Sequence, residues 1–192
     1  MLDPQIRDKL FFQLETTSEK IRIFEEVIIG KSRCDFFAVT DKLTGYEIKS
    51  DADSYARLKS QVKSYDLFFN ENYLVVGKSH LKSAEKHIPD YWGIICVGET
   101  TEFVRSADPS PKVKMTNQLR LLWKRELRHI LDRYNLPKYP QKSRQFITKK
   151  LVDCIDGQML LGEICAELFE RDYIDEGFET VKSLAKQNGL NL

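Results

Sequence analysis

Two short, almost wholly apolar segments, Tyr73-Leu74-Val75-Val76 and Trp92-Gly93-Ile94-Ile95-Cys96-Val97, flank a polar stretch with helical character over 78–87. Strands that are apolar on both faces must be covered on both faces, so helices have to pack against the sheet they form. Upstream, 33–39 predicts a strand, Asp41-Lys42-Leu43-Thr44-Gly45 a hairpin turn, and 46–50 the returning strand. Asp51 or Asp53 then caps a predicted helix over 54–69, whose Leu58, Val62, Tyr65 and Phe69 fall on one stripe. The order strand, strand, helix, strand, helix, strand predicts an α/β fold, a mixed β-sheet flanked by helices, with 101–105 as an edge strand. Ahead of it, Asp3 as N-cap and Pro4 at the first helical position predict a helix over 4–14, buried through Ile6, Leu10 and Leu14. Residues 16–20 read as a loop, 21–29 as β-rich, and Gly30-Lys31-Ser32 as a turn.

Ser106-Ala107-Asp108-Pro109-Ser110-Pro111 has the composition of a linker, and helical patterns follow over about 115–134, 143–156, 159–170 and 175–187. The chain thus divides into an α/β core over 1–108 and an all-α C-terminal region over 109–192, expected to pack on that core. The net charge of +1 hides an asymmetry: 112–150 carries twelve Lys/Arg against two acids, and 151–192 carries nine acids against three basic residues. A basic block of that length suits a polyanion, and a solvated helical face accounts for the same charges. With 42% hydrophobic residues the chain can bury a real core. Its apolar runs fall far short of the roughly 18 residues that cross a bilayer. The N-terminus lacks the pattern of a signal peptide, and the scattered Cys34, Cys96, Cys154 and Cys165 read as reduced thiols in a cytoplasmic protein. Zinc cages, Gly-rich phosphate loops and Gly-x-Ser-x-Gly elbows are absent from the sequence, and His80, His87 and His129 lie too far apart to suggest a role.

Chemistry concentrates around Glu47-Ile48-Lys49. On a strand Glu47 and Lys49 point the same way and Ile48 the other, while Asp35 sits on the partner strand. Two carboxylates brought together there form an oxygen-rich site for a hard cation such as Mg²⁺, which activates water and neutralises charge on a phosphoryl group. A lysine beside them can hold that water or stabilise transition-state charge. Cross-strand ion pairing gives the same residues a purely structural use. Glu25 or Glu26 supplies a further acid upstream, and Gln61 and Tyr65 lie one helical turn apart downstream.

In Glu26, Asp35, Glu47-Ile48-Lys49 and Gln61-x-x-x-Tyr65 the sequence resembles the PD-(D/E)XK nuclease superfamily, and in particular small stand-alone bacterial and phage members such as the MmcB-like DNA-repair group. The likeness extends over Gly45–Asp53, Arg57-Leu58, Leu74–Gly77, Pro89-x-x-Trp92-Gly93 and Leu121–Leu127. The resemblance implies a restriction-endonuclease-like fold in which Asp35 and Glu47 bind Mg²⁺ or Mn²⁺. It makes Lys49 the catalytic lysine, Glu26 (with Glu25 as the competing choice) the helix-edge acid, and Gln61 an orienting or substrate-facing residue. The family's proline before the first acid is replaced by Cys34. Tyr65 lies on the apolar stripe and reads as core with its hydroxyl bonded; Arg57 either contacts phosphate or pairs with Asp53. On this reading Lys124, Arg125 and Arg128 guide nucleic acid, DNA in the first instance with RNA open. The expected function is metal-dependent DNA hydrolysis in repair, recombination or phage defence. The alternatives are a weakly catalytic or non-catalytic DNA-binding accessory protein and a protein-interaction module that docks a partner on its acidic C-terminal helices. A homodimer is also open; a membrane partner is not expected.

Overall fold

The computed structural model describes residues 2–171. The first helix, α1 (Asp3–Thr17), buries Ile6, Leu10 and Leu14 as the spacing requires. Its start differs by one residue from the sequence expectation: the Leu2 N–H donates to Gln5 Oε1 (3.1 Å), and Asp3 stands in the first turn, where its charge suits the helix dipole. The helix also continues to Thr17, through part of the expected loop.

Among the described residues, eight strands follow: β1 (Arg22–Glu25), β2 (Ile28–Ile29), β3 (Ser32–Arg33), β4 (Phe36–Val39), β5 (Leu43–Lys49), β6 (Glu71–Val76), β7 (Gly93–Val97) and β8 (Thr101–Arg105). Six of them form one mixed sheet in the order β1-β4-β5-β6-β7-β8, with β5, β6 and β7 parallel and the outer pairs antiparallel. The parallel pairs are joined by α2 (Leu58–Phe68) and by α3 (Leu81–Ala84) with its 3₁₀ turn. The β-rich stretch 21–29 is not one strand. Glu26 takes a left-handed conformation (φ 56°), and the chain leaves the sheet as the β2–β3 hairpin, which turns at Gly30 (φ 62°). The Glu26 N–H to Asp35 carbonyl bond (3.0 Å) and the Cys34 N–H to Val27 carbonyl bond (2.9 Å) close the base of this excursion.

The pleat sorts the strand residues into two layers. Phe36, Tyr46, Ile48, Val75, Ile95 and Val97 bury against α1, with Phe36, Tyr46 and Tyr73 stacked in series at 4.6 and 5.5 Å between ring centres. Phe37, Val39, Leu43, Leu74 and Val76 face α2 and the helices of the second half. Gly45 lets α2 come close: a Cβ there would run into Phe69, Tyr65 and Asn72. The helix starts later than expected, at Leu58. Asp53 does not cap it, since its carboxylate accepts the Ser50 N–H (2.8 Å) and hydroxyl (2.5 Å), and Asp51 binds Ser79 across the β6 end.

The segment 106–111 is not a free linker. The Asp108 N–H bonds the Tyr91 carbonyl (2.9 Å), and Ser110 donates its N–H to Asn70 O (2.7 Å) and its hydroxyl to Asp66 O (3.1 Å). Beyond it come α4 (Met115–Gln118), α5 (Lys124–Arg133), α6 (Arg144–Cys154) and α7 (Gly157–Glu170). The single helix expected over 115–134 breaks at Leu122-Trp123, where the Glu126 carboxylate takes the Trp123 N–H (2.6 Å) and restarts the helix. Leu119, Leu127, Ile130, Ile147, Leu160 and Leu168 join the same hydrophobic cluster as α2, so the helical region shares its core with the sheet. The helix expected over 175–187 lies outside the described residues. No described helix is long and apolar enough to cross a membrane.

Candidate active site

On β5 the alternation that sends Tyr46 and Ile48 into the α1 layer turns Gly45, Glu47 and Lys49 toward α2. The β4–β5 register pairs Phe36 with Tyr46, and one step further places Asp35 across from Glu47. Asp35 Oδ2 accepts the Ile48 N–H at 2.6 Å. The Lys49 ammonium donates to Glu47 Oε1 at 2.6 Å and to Gln61 Oε1 at 3.3 Å. One turn along α2, the Tyr65 hydroxyl accepts the Asp35 N–H (3.0 Å) and donates to the Tyr46 carbonyl (3.1 Å). Gln61 and Tyr65 therefore clamp α2 onto the strand pair that carries the acids, and Asp35, Glu47, Lys49 and Gln61 form one constellation. The position of Tyr65 in the core, with its hydroxyl bonded, agrees with its place on the apolar stripe.

The electrostatics of this cluster are unbalanced. Glu47 is fully buried and Lys49 nearly so; Glu47 Oε2 forms no hydrogen bond of normal geometry, although the Tyr65 hydroxyl and Gln61 are near enough to favour its charge. Burial is the main force raising the Glu47 carboxyl above its ordinary range, with Lys49 opposing it. Burial, then the charge of Glu47, pushes Asp35 up to about 7 against the Ile48 N–H and Lys49, which pull the other way. Two carboxylates that repel each other, with one buried oxygen left open, are a fitting donor set for a hard divalent cation. Mg²⁺ uses one or two protein carboxylates and completes its shell with water and phosphate oxygens. Among the described residues no group of three or more His, Cys, Asp or Glu is gathered to hold a metal; Asp35 and Glu47 are a pair.

The upstream acids lie differently. Glu26 pairs through its carboxylate with Arg33 (2.7 Å) and Arg7 (3.3 Å), and Glu25 with Arg7 (2.7 Å), rather than with Lys49. What joins Glu26 to Asp35 is the backbone bond at the hairpin base. Nothing in the sequence singles out Arg7: from α1 it reaches Asp3, Glu25, Glu26 and the Asp35 carbonyl (3.2 Å), contacts between segments that no local spacing reveals. Arg57 is exposed at the start of α2, one turn before Gln61, and forms no ion pair with Asp53. Lys124 and Arg128 are exposed one turn apart on α5, while Arg125 lies over the Trp123 ring at 4.5 Å. The structure gathers none of these four cations into the Asp35–Lys49 cluster by a hydrogen bond.

No curated protein sequence matches the chain. Among solved structures, a protein of unknown function from Silicibacter pomeroyi is 19% identical, with a TM-score of 0.46, covering 74% of this chain and 97% of that one. SfsA of Pyrococcus furiosus, determined in complex with Ca²⁺, is 15% identical, with a TM-score of 0.32 over 59% of this chain and 66% of its own. The profile of the family described as Bacteriophage P4 protein cII matches residues 4–184, nearly the whole length. The chain belongs to the bacteriophage P4 protein cII family.

Proposed function

We propose that this protein is a metal-dependent nuclease of PD-(D/E)XK type, with a restriction-endonuclease-like core, that hydrolyses phosphodiester bonds of DNA. The observation that carries the reading is the open oxygen of buried Glu47 beside an Asp35 held near neutrality and a lysine fixed between Glu47 and Gln61. Asp35 and Glu47 would hold Mg²⁺ or Mn²⁺; the ion, when bound, lowers the pKa of a water and offsets phosphate charge. Lys49 supplies a positive charge whose remaining N–H is available to a phosphate oxygen or to the attacking water. Gln61 fixes that ammonium, and Tyr65 fixes the Asp35 backbone. Arg57, Lys124 and Arg128 add phosphate-neutralising charge, which gives affinity without sequence reading. Repair, recombination and phage defence are the settings such chemistry serves.

The test is cleavage of labelled linear, nicked, flapped, branched and single-stranded DNA and of RNA, in Mg²⁺, Mn²⁺ or EDTA. Lys49→Ala should lower the metal-dependent rate by about 100-fold or more, the scale of losing one charge-stabilising group, in a protein that still melts cooperatively, at a lower temperature because Glu47 loses its buried ion-pair partner. A second reading, a DNA-binding accessory protein that cuts little, is favoured by one observation: the carboxylates of Glu25 and Glu26 are engaged by Arg7 and, for Glu26, Arg33. Salt-dependent DNA binding without cleavage under every metal would establish it in place of the first.

A further inference from the structure

A groove of about 1200 Å³ runs between the β2–β3 hairpin, the end of α2, α4 and the length of α6, outside the Asp35–Lys49 cluster. Its charge is one-sided: Arg120, Arg144 and Lys149 line it against the single acid Asp153, and none of the three cations is ion-paired among the described residues. Arg144 is fixed in place, its Nη2 donating to the carbonyls of Arg120 (2.6 Å) and Leu122. Burial and the neighbouring charge of Arg120 both press against its protonated state. Three cations against one acid that pairs with none of them are relieved by an anion from outside.

A second, independent feature lies in the same wall. Thr148 is 6% exposed, lines the groove, and its hydroxyl has no partner. A buried hydroxyl left unbonded is costly, and a phosphate oxygen would satisfy it. A third feature is apolar. Phe146 presents its ring at the groove with the Lys142 and Lys150 ammoniums 5.5 and 5.8 Å from its centre, and Ile28 of the hairpin is 75% exposed.

We infer that this groove binds a single strand of nucleic acid, its phosphates met by Arg120, Arg144, Lys149 and Thr148 and an unstacked base laid on Phe146. A duplex keeps its bases paired and stacked, so an aromatic platform beside a row of cations selects the single-stranded form. The hairpin that forms one wall returns through Cys34 to Asp35, which links the groove in the chain to the acids. The inference rests on the proposed action on nucleic acid and adds where, and in what form, the strand is held.

The experiment is fluorescence anisotropy in EDTA with the full chain and three probes: an oligothymidylate and an oligouridylate of about 20 nucleotides, at least one full site size, and a duplex of the same length. Arg120→Glu/Lys149→Glu alters exposed side chains and should weaken oligothymidylate binding about tenfold or more. It should also flatten the salt dependence by about 1.4, at about 0.7 for each phosphate that is no longer neutralised, while duplex binding changes far less. Phe146→Ala should weaken the single strand about fivefold, which keeps the test intact if the charge reversal unfolds the chain. Equal losses on both single strands mark phosphate and base stacking as the shared chemistry; a loss on only one assigns the groove to DNA or to RNA. If the groove variants bind like wild type while Lys124→Glu/Arg128→Glu does not, the groove inference is wrong and the nuclease reading stands. If wild type binds none of the probes, both fall.

Discussion

Two buried carboxylates, one on α2 and one on β5, have opposite surroundings. Asp66, on α2, is fully buried and every demand it makes is met: Trp92 Nε1–H donates to Oδ1 (2.8 Å), and the Tyr91 hydroxyl (2.7 Å) and the Lys112 ammonium (3.2 Å) donate to Oδ2. Glu47, on β5, is as deeply buried but has one bonded oxygen and one open one, beside a second carboxylate. The first arrangement ties α2 to the strand start at Trp92 and to the 106–111 segment. The second pairs one oxygen with Lys49 and leaves the other unbonded, where a sheet could as easily have placed leucine. A buried polar group whose needs are met holds a fold together; one left unmet stores binding energy for something that arrives later.

The contrast can be broken by mutation. The largest effect on stability should come from Asp66→Ala, which strands the indole N–H, the tyrosine hydroxyl and a lysine. A loss of about 3 kcal/mol is expected, a drop of roughly 6–12 °C in Tm for a chain of this size, read by thermal melting; an unchanged Tm would remove Asp66 from the structural side of the comparison.

The effect at the Asp35–Glu47 pair should have the opposite sign and depend on pH. Folded Asp35 keeps its proton up to about pH 7, whereas in the unfolded chain it ionises near its ordinary 3.8. Between those values the folded state binds more protons, so stability falls as pH rises through the window. Asp35→Asn, which cannot ionise, should be the more stable protein by about 4 kcal/mol near pH 8 and no more stable near pH 4. Denaturant unfolding at both pH values checks this, and a variant that loses stability at pH 8 contradicts it. The smallest effect is expected at Glu26, half exposed among arginines. Glu26→Gln should shift stability by less than about 0.5 kcal/mol and change cleavage no more than about threefold; a hundredfold loss would return Glu26 to the reacting centre.

Much of this is legible in the sequence, for identifiable reasons. The apolar runs of β6 and β7 and the stripe on α2 are local periodicities, and they predict the mixed sheet and its covering helix. The period of two along Glu47-Ile48-Lys49 predicts the side on which the site opens, and a hairpin brings Asp35 there. The rest depends on distant contacts or on backbone conformations that pattern does not encode. The break at Glu26 needs a left-handed residue that no glycine announces. The Asp51 and Asp53 side chains resemble caps but bind Ser79 and Ser50 instead. The docking of 106–111 depends on Ser110 meeting Asn70 and Asp66, residues some forty positions away. The composition of that segment suggests freedom, when its polar groups are the fastening.

Glu47 and Asp35 as a cation site stand at the centre of this reading, and Mn²⁺ binding followed by electron paramagnetic resonance near pH 8 tests them most directly. Wild type should bind one Mn²⁺, and Glu47→Gln, which keeps the shape but removes the charge, should bind it about tenfold or more weakly while still melting cooperatively, at a lower temperature because buried Lys49 loses its anionic partner. Equal binding by the two proteins, or no binding by wild type in the presence or absence of single-stranded DNA, would contradict the claim.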